Sequence, residues 1–376
     1  MTIFLNQLTI KQIVNYFCSR QVYKEALIMN FSGEIINWYQ LHKRDLPWRN
    51  TTDPYIIWLS EIIMQQTRVE QGTPYFNRFA ETFPTVSDFA SATEDEILKL
   101  WQGLGYYSRG RNMHHTAQMV MEEHAGYFPN KYSELLKLKG VGEYTAAAIS
   151  SFSNNEAQAV VDGNVFRLLS RYFGIDTPIN TGAGKKLFTV LANELMDKNQ
   201  AGTYNQAVME FGSLQCKPVN PNCSVCPLIS SCQAYQQSRI QELPVKLKAK
   251  KVRNRFFNYI VLKREDQFLI HKLQSNDIWQ NLHQFPLIET EFATDASNII
   301  QSENFTSQFG NKIILKKVHQ PVKHLLSHQK LHAQFIEIEP NVDYKSIPKN
   351  YFFAGEQVLK ELAQPKLIFE FLKKFF

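Results

Sequence analysis

No apolar run in this 376-residue chain is long enough to cross a membrane. The first thirty residues carry apolar side chains at helical spacing, without the unbroken apolar core and small-residue cleavage site of a secretory signal. We therefore expect a cytoplasmic protein in a reducing compartment, with no membrane partner.

Charge is also scarce, since charged residues make up 20% of the chain against 44% hydrophobic residues. This balance excludes a disordered protein. The length exceeds what one ordinary core needs, so two domains are expected. The formal net charge of +6 suits a polyanionic partner without proving one.

Cysteine is rare, with five in the whole chain. Cys18 stands alone, and we expect a small buried apolar residue or a free thiol there. The other four lie in the short, proline-containing stretch CKPVNPNCSVCPLISSC, and they are Cys216, Cys223, Cys226 and Cys232. Such grouping in a reducing compartment predicts a metal site rather than disulfides. One Cys-x-x-Cys pair with wider gaps on both sides differs from a zinc ribbon, although zinc and unmetallated thiols stay as alternatives.

A Gly-Val-Gly turn interrupts a helical pattern in LKGVGEYTA, residues 138–146. Gly140 and Gly142 allow a tight reversal between two helices. The second helix then begins with free backbone N–H groups, which can hold a phosphate. This predicts a helix-hairpin-helix motif that grips DNA by its backbone, with an ordinary helical hairpin as the alternative.

Two carboxylates lie in settings that suit chemistry. Glu61 falls inside the apolar helical stretch YIIWLSEIIMQQT, which Asp53 and Pro54 cap and start. An apolar pocket raises the pKa of a carboxyl group, as a general acid requires at neutral pH. Asp162 precedes an apolar helix in VVDGNVFRLLSR, so it either caps that helix or takes part in the chemistry.

Several stretches together resemble the adenine DNA glycosylase family, MutY, of the helix-hairpin-helix/endonuclease III superfamily. They are LPWR (46–49), SEIIMQQTRVE (60–70), WQGLGYYSRGR (101–111), LKGVGEYTA, VDGNV and the cysteine loop. The resemblance implies a monomeric, nucleoid-associated enzyme of base excision repair. Its substrate would be double-stranded DNA with adenine opposite 8-oxoguanine or guanine. It would flip out the adenine and hydrolyse its N-glycosidic bond. It also implies a [4Fe-4S] cluster on the four cysteines.

The resemblance implies roles for individual residues. Glu61 would protonate adenine at N7, and Asp162 would stabilise the sugar cation, with Tyr144 and Asn164 beside them. Tyr144 stands where bifunctional relatives carry a lysine, which implies a monofunctional enzyme. Gln206 stands where the family often has a second pocket glutamate. The base pocket and the DNA contacts would take Trp48, Arg49, Gln65, Gln66, Thr67, Leu104, Tyr106, Gly140, Gly142 and Gln206.

The C-terminal third changes in composition. A basic stretch, ELPVKLKAKKVRNR, predicts an exposed connector. Its basic side chains either contact phosphates or belong to a solvated linker, and they are Lys246, Lys248, Lys250, Lys251, Arg253 and Arg255. FFNYIVLKREDQFLIHKL predicts a β-hairpin, KLHAQFIEIEP a strand, and the end of the chain a helix.

This third resembles the MutT-like domain of the same family. It lacks the Gly-Arg-Glu-Glu helix of Nudix hydrolases, so nucleotide hydrolysis is not expected. Ser327 and His328 match the family's Phe-Ser-His loop, which inspects 8-oxoguanine, and Leu326 replaces the phenylalanine.

We therefore predict a multidomain α and α+β fold. Residues 1–29 form an extension, 30–235 an all-α glycosylase domain with the iron–sulfur loop, 236–255 a basic linker, and 256–376 a MutT-like α/β domain. Two alternatives remain: a bifunctional endonuclease III-like glycosylase/AP lyase acting on oxidised bases, and a non-enzymatic lesion-binding protein.

Overall fold

The computed structural model describes residues 21–248, 252–274, 277–340 and 348–376. The chain divides into two compact units. The first contains residues 1–90 and 115–248, and the second contains residues 91–114 and 249–376. Among the described helices, none is both long and apolar enough to cross a membrane. Cys18, most of the predicted 1–29 extension, Lys250 and Lys251 lie outside the described residues.

The helices of residues 21–248 are numbered in chain order. They are α1 (Gln21–His42), α2 (Pro54–Ile63), α3 (Val69–Thr82), α4 (Val86–Ser91), α5 (Glu94–Leu100), α6 (Ser108–Glu123), α7 (Tyr132–Leu135), α8 (Glu143–Asn154), α9 (Gly163–Phe173), α10 (Gly182–Leu195), α11 (Ala201–Leu214) and α12 (Gln233–Gln236), with short 3₁₀ helices at Pro47–Arg49, Lys198–Gln200 and Cys223–Val225. Helix α5 and the first part of α6 belong to the second unit.

Helix α2 starts as the sequence predicts. The Asp53 carboxylate accepts a hydrogen bond from the Tyr55 backbone N–H at 2.8 Å, and Pro54 occupies the first helical position. A hydrophobic core packs α1 against α9, α10 and α11, with fully buried side chains such as Phe31, Phe188 and Phe211. The cysteine loop contacts this core through Cys216, Cys226 and Cys232.

The Gly-Val-Gly turn connects α7 to α8. Helix α7 is only one turn long, shorter than the sequence pattern predicts, because the chain leaves it for a series of turns after Leu135. Gly140 has a φ of 79°, which favours glycine. Gly142 is the N-cap of α8, so the first N–H groups of α8 follow the turn directly.

The second unit contains a mixed sheet. Its described strands are β1 (Arg253–Arg264), β2 (Gln267–Lys272), β3 (His283–Gln284), β4 (Leu287–Thr290), β5 (Ile313–Val318), β6 (Val322–Leu325), β7 (Gln329–Pro340) and β8 (Tyr351–Ala354). The order along the main path is β3-β2-β1-β7-β5, with β4 beside β1, β6 beside β7 and β8 beside β2. Strands β1 and β7 pair in parallel, and β1 and β2 form the predicted hairpin.

Helices of the C-terminal third cover the sheet. They are α13 (Ala296–Gln301), α14 (Glu303–Phe309), α15 (Glu356–Glu361) and α16 (Lys366–Leu372). The prediction of one terminal helix was wrong, since α15 and α16 are separate. Pro365 lies between them as the N-cap of α16. A single helix cannot continue through this position, because proline lacks an N–H group and disrupts a helix interior.

The prediction that Arg255 is an exposed phosphate contact was also wrong. Its side chain is 8% exposed and forms ion pairs of 2.6 Å with Asp277 and Glu289. The alternation that starts β1 turns this residue inward, where two carboxylates neutralise its charge. Arg253 begins the same strand, and its backbone N–H donates to the His328 carbonyl.

Candidate active site

A cleft of about 1050 Å³ opens in the first unit. Its walls come from the 3₁₀ turn at Pro47–Arg49, the end of α2, and the facing sides of α8, α9, α10 and α11. The cleft brings together most of the residues that the sequence singles out in this unit, and they are Trp48, Arg49, Glu61, Gln65, Gln66, Thr67, Gly142, Tyr144, Asp162 and Asn164.

Glu61 is the buried carboxyl group of the cleft. Helix α2 is apolar on nearly all sides, so the side chain is only 9% exposed. The Tyr144 hydroxyl, at the start of α8, donates a hydrogen bond to Glu61 Oε2 at 2.9 Å. Burial raises the pKa of Glu61 to about 7, the neighbouring Asp162 adds to the rise, and Tyr144 and Arg49 oppose it. Glu61 therefore holds a proton up to neutral pH.

Asp162 acts as the N-cap of α9. Its Oδ1 accepts from the backbone N–H groups of Asn164 (2.9 Å) and Val165 (2.8 Å). The Asn164 side-chain amide donates to Oδ2 at 2.6 Å. The sequence offered capping and chemistry as alternatives for Asp162, but a capping aspartate that lines the cleft is compatible with both.

The two carboxyl groups differ in their donors. Burial raises the pKa of Asp162, and the hydrogen bonds from Val165 and Asn164 oppose this rise. Within the described residues, Glu61 receives one hydrogen bond, from Tyr144, whereas Asp162 receives three. The larger set of donors therefore favours the ionised form of Asp162 more than that of Glu61.

The turn after α2 places Gln65, Gln66 and Thr67 at the rim of the cleft. Gln65 Nε2 donates to Thr145 Oγ1 at 3.3 Å, which ties the turn to α8. Gln66 is exposed and has a φ of 55°, a left-handed conformation that non-glycine residues rarely adopt. Such backbone strain is concentrated at functional sites.

An ion cluster forms the wall next to Glu61. The Glu210 carboxylate, on α11, is 1% exposed and pairs with Arg44 at 2.6 Å and with Arg49 at 2.8 Å. Burial alone would raise the pKa of Glu210, but the hydrogen bonds from both arginines outweigh it and hold the pKa at about 2. The wall therefore has two cations and one anion.

Comparisons with known proteins identify the two domains of the chain and its relatives. Residues 59–192 match the model described as "HhH-GPD superfamily base excision DNA repair protein", and residues 258–374 match that of a NUDIX domain. Adenine DNA glycosylase of Buchnera aphidicola subsp. Schizaphis graminum is 36% identical over 306 residues, which cover 80% of this chain and 85% of that protein. Human adenine DNA glycosylase is 41% identical over 228 residues, 58% of this chain and 42% of that protein.

A solved structure of a thermostable thymine-DNA glycosylase is 28% identical, with a TM-score of 0.52, and covers 56% of this chain and 97% of that one. The chain belongs to the adenine DNA glycosylase family. This confirms the predicted helix-hairpin-helix domain and the predicted MutT-like domain, since both family models match in the expected order.

The cysteine loop of this adenine DNA glycosylase family member surrounds one small cavity of about 30 Å³, lined by Cys216, Cys223, Cys226 and Cys232. Among the described residues, no three His, Cys, Asp or Glu side chains converge to hold a single metal ion. Arg171 places a guanidinium 3.5 Å from Cys216 Sγ and donates to the carbonyls of Lys217 and Pro218. Four thiols around one cavity beside a cation fit a negatively charged thiolate-bound group.

Hydrogen bonds connect this loop to the cleft. Arg167, on α9, donates to Asn164 Oδ1 at 2.9 Å and to the Cys216 carbonyl at 2.8 Å. Asn164 in turn holds Asp162. The side chain that orients Asp162 is therefore itself fixed to the first cysteine of the loop.

A second cavity, of about 430 Å³, lies within the second unit. The Gly103–Ser108 loop forms one wall, and residues 324–329, with Trp279, form another. The Tyr106 hydroxyl hydrogen-bonds Ser327 Oγ. Tyr106 has a φ of 47°, so it shares the left-handed conformation of Gln66. The predicted residues Leu104, Tyr106, Ser327 and His328 thus line one cavity.

Gln206 is not among the residues that line the cleft. Its side chain accepts a hydrogen bond from the Tyr39 hydroxyl at 2.6 Å instead. One helical turn later, Glu210 lines the cleft together with Arg44, and sequence reasoning missed both. The signal was present, since Glu210 is flanked by Val208, Met209 and Phe211, much as Glu61 is flanked by apolar residues.

Proposed function

We propose that this protein removes adenine from duplex DNA in which adenine is mispaired with 8-oxoguanine or guanine, as a step of base excision repair. The observation that carries the proposal is a buried Glu61, whose pKa is raised to about 7, in one cleft with a hydrogen-bonded Asp162. Membership of the adenine DNA glycosylase family supports the choice of base.

The proposed chemistry starts with an everted adenine, since its glycosidic bond is inaccessible within the duplex. Glu61 donates its proton to N7, and the C1′–N9 bond breaks with its electron pair going to the base. The ionised Asp162 stabilises the positive charge that develops on the sugar. Water adds to C1′, and its proton returns Glu61 to the acid form. Tyr144 and Asn164 hold the two carboxyl groups in place.

Tyr144 further supports base removal without strand cleavage. A tyrosine cannot form the Schiff base that a lysine at this position would form with the sugar. Borohydride should therefore trap little protein on DNA. Efficient trapping would favour the alternative of a bifunctional glycosylase/AP lyase.

We propose that the cavity of the second unit reads the opposite base. Ser327 and His328 can donate hydrogen bonds to 8-oxoguanine, and Tyr106 can enter the base stack beside it. Leu326 offers no aromatic surface there. Ser327→Ala should lower the ratio of adenine release opposite 8-oxoguanine to release opposite guanine.

We propose that the four cysteines hold a [4Fe-4S] cluster, which would stabilise the loop that they share. Iron, sulfide and zinc analysis of the purified protein distinguishes this cluster from a zinc site. The hairpin glycines Gly140 and Gly142 and the exposed Lys217 are the proposed phosphate contacts. DNA affinity should accordingly fall as salt concentration rises.

The decisive experiment uses a duplex with adenine opposite 8-oxoguanine, labelled on either strand, incubated with the protein and treated with alkali. Cleavage should map to the adenine position only. Glu61→Gln should bind the same duplex and release no adenine. Turnover equal to that of the wild type would remove Glu61 as the acid, and binding without release by the wild type would favour a non-enzymatic lesion-binding protein.

A further inference from the structure

The carboxylate of Glu210 is the acceptor for five hydrogen bonds. Arg44 donates from its backbone N–H (3.0 Å), from Nε (2.8 Å) and from Nη2 (2.6 Å), and Arg49 donates from Nη1 (3.0 Å) and Nη2 (2.8 Å). Arg49 Nη1 also donates to the Arg44 carbonyl at 3.2 Å. One carboxylate therefore fixes both guanidinium planes and the backbone that connects them to α1.

Two guanidinium nitrogens of this cluster make no hydrogen bond within the described part of the chain. Among the described residues, Arg44 Nη1 and Arg49 Nε have no hydrogen-bond acceptor, and both side chains line the cleft. Arginine side chains lose considerable rotamer entropy when they are ordered. Because Glu210 orders both side chains in the free protein, a ligand in the cleft need not do so.

Groups on three walls of the cleft act on the ionisation of Glu61. Tyr144 on α8 donates to it, Asp162 at the start of α9 repels its ionised form, and Arg49 attracts that form. Glu210 in turn is faced by Arg44, Arg49 and the Tyr39 hydroxyl group of α1. The Glu210 charge thus offsets part of the positive charge that Glu61 experiences.

We propose that Glu210 is a positioning residue for base removal, which orients Arg44 and Arg49 on the cleft wall and limits the positive charge that reaches Glu61. The activity part of this inference rests on the proposed function. Glu210 does not touch the reacting atoms in this role; it acts through the two arginines.

The test compares Glu210→Gln with the wild-type, full-length protein. A carboxamide leaves two guanidinium charges without their anion, which favours ionised Glu61. The single-turnover rate of adenine release should fall, and the alkaline limb of its pH profile should move down by about half a pH unit or more. Arg49→Gln should move the same limb upward, and Glu210→Gln should have a smaller effect in that background, where only Arg44 loses its anion.

Asn205→Ala is the matched control. Asn205 lies on the same helix, is fully buried, and bonds to Val160, Ser151 and the Gln158 carbonyl. Gln158 lines the cleft, whereas Asn205 itself does not. It should lower Tm and leave the pH limb in place. If Glu210→Gln only lowers Tm as well, with the limb unmoved, Glu210 has a structural role and the proposal is wrong.

Two further measurements cover other outcomes. If Glu210→Gln does not fold, Glu210→Asp tests the proposal instead. Aspartate keeps the negative charge, but its side chain is one methylene shorter and holds the carboxylate farther from the two arginines. A lower rate with an unmoved limb supports the proposal, and a wild-type rate overturns it. If the wild type releases no adenine, the proposed function fails, but NMR titration of the Glu61 carboxyl in both proteins still tests Glu210. An unchanged Glu61 titration would contradict the inference.

Discussion

Ionisation of Glu61 destabilises the folded protein, because its carboxyl group is buried. Burial raises its pKa from 4.5 to about 7. A carboxyl group whose pKa is raised on folding contributes stability below its unfolded pKa, and that stability is lost as pH rises through the folded pKa. The loss between these two values amounts to about 3 kcal/mol at most.

Glu61→Gln should therefore be more stable than the wild type at alkaline pH. Glutamine does not ionise, so its advantage in the free energy of unfolding should grow by up to about 3 kcal/mol from pH 4.5 to 8. Urea unfolding at several pH values measures this. Glu210 has the opposite sign, since its pKa of about 2 makes its contribution present above pH 4.5 and lost as the pH falls toward 2. A difference that stays constant with pH would contradict a destabilised Glu61 carboxylate.

Tyr144 tunes the same acid. Its hydrogen bond favours the ionised form of Glu61 and so lowers the pKa of that group. Tyr144→Phe should raise this pKa, and the alkaline limb of adenine release should move to higher pH. Tyr132→Phe, at another tyrosine that lines the cleft, serves as the control and should leave the limb in place. A limb that moves equally in both variants would argue against a specific role for the Tyr144 hydroxyl.

The sequence predicts Glu61 but not Glu210, for a physical reason. Helix α2 is apolar on nearly all sides, so its one glutamate is conspicuous, whereas Glu210 depends on partners far along the chain. Arg44 and Arg49 precede it by 166 and 161 residues. Only the folded chain shows that three charged residues form one cluster, and that Gln206 turns toward Tyr39.

At the scale of elements, the crossing of α9 and α11 brings the cleft and the cysteine loop together. The Gly212 backbone lies so close to α9 that an added Cβ would be 2.8 Å from both the Cβ and the carbonyl oxygen of Asn164. Gly212 also accepts a hydrogen bond from Arg167 at 2.6 Å. Only glycine allows this approach, which sets the position of the Asp162 cap.

Gly212→Ala should displace the first turn of α9. We expect a loss of about 1–3 kcal/mol in the free energy of unfolding, as for other overpacked sites. Adenine release should fall as well, because Asn164 and Asp162 move with that turn. Gly33→Ala on α1 is the control, since an added Cβ there has no neighbour within 4 Å, and it should stabilise the helix by about 0.5–1 kcal/mol. Unchanged activity in Gly212→Ala would show that the cap tolerates the shift.

The sequence predicts where these helices begin better than where they are interrupted or cross. Asp53 and Pro54 begin α2 as expected, since capping depends on adjacent residues. The crossing at Gly212 cannot be read from the chain, because its cause is a backbone atom 48 residues away in another helix. Similarly, a helical pattern at the C-terminus concealed the break at Pro365.

At the scale of the molecule, the chain enters its second unit twice. Residues 91–114 separate from their sequence neighbours and join residues 249–376. Within this unit Asp95 pairs with Lys272 at 2.7 Å, Arg111 donates to the Gln280 carbonyl at 2.9 Å, and Tyr107 donates to the Gln364 carbonyl at 3.0 Å. The predicted boundaries at 235 and 256 follow the linear order of motifs and remain predictions.

This arrangement predicts that residues 91–114 need the C-terminal third to keep their folded conformation. In a chain that ends at residue 248, these three contacts lose their partners, and the segment opens locally at lower free energy. Hydrogen exchange followed by mass spectrometry should show faster exchange in residues 91–114 than in the full chain, with α2, α8 and α9 unaffected. Lys272→Ala in the full chain, which removes one contact, should give a smaller increase confined to α5. If exchange in the segment is unchanged by the deletion, its order comes from the first unit, and the Tyr106 loop does not need the C-terminal third to keep its conformation.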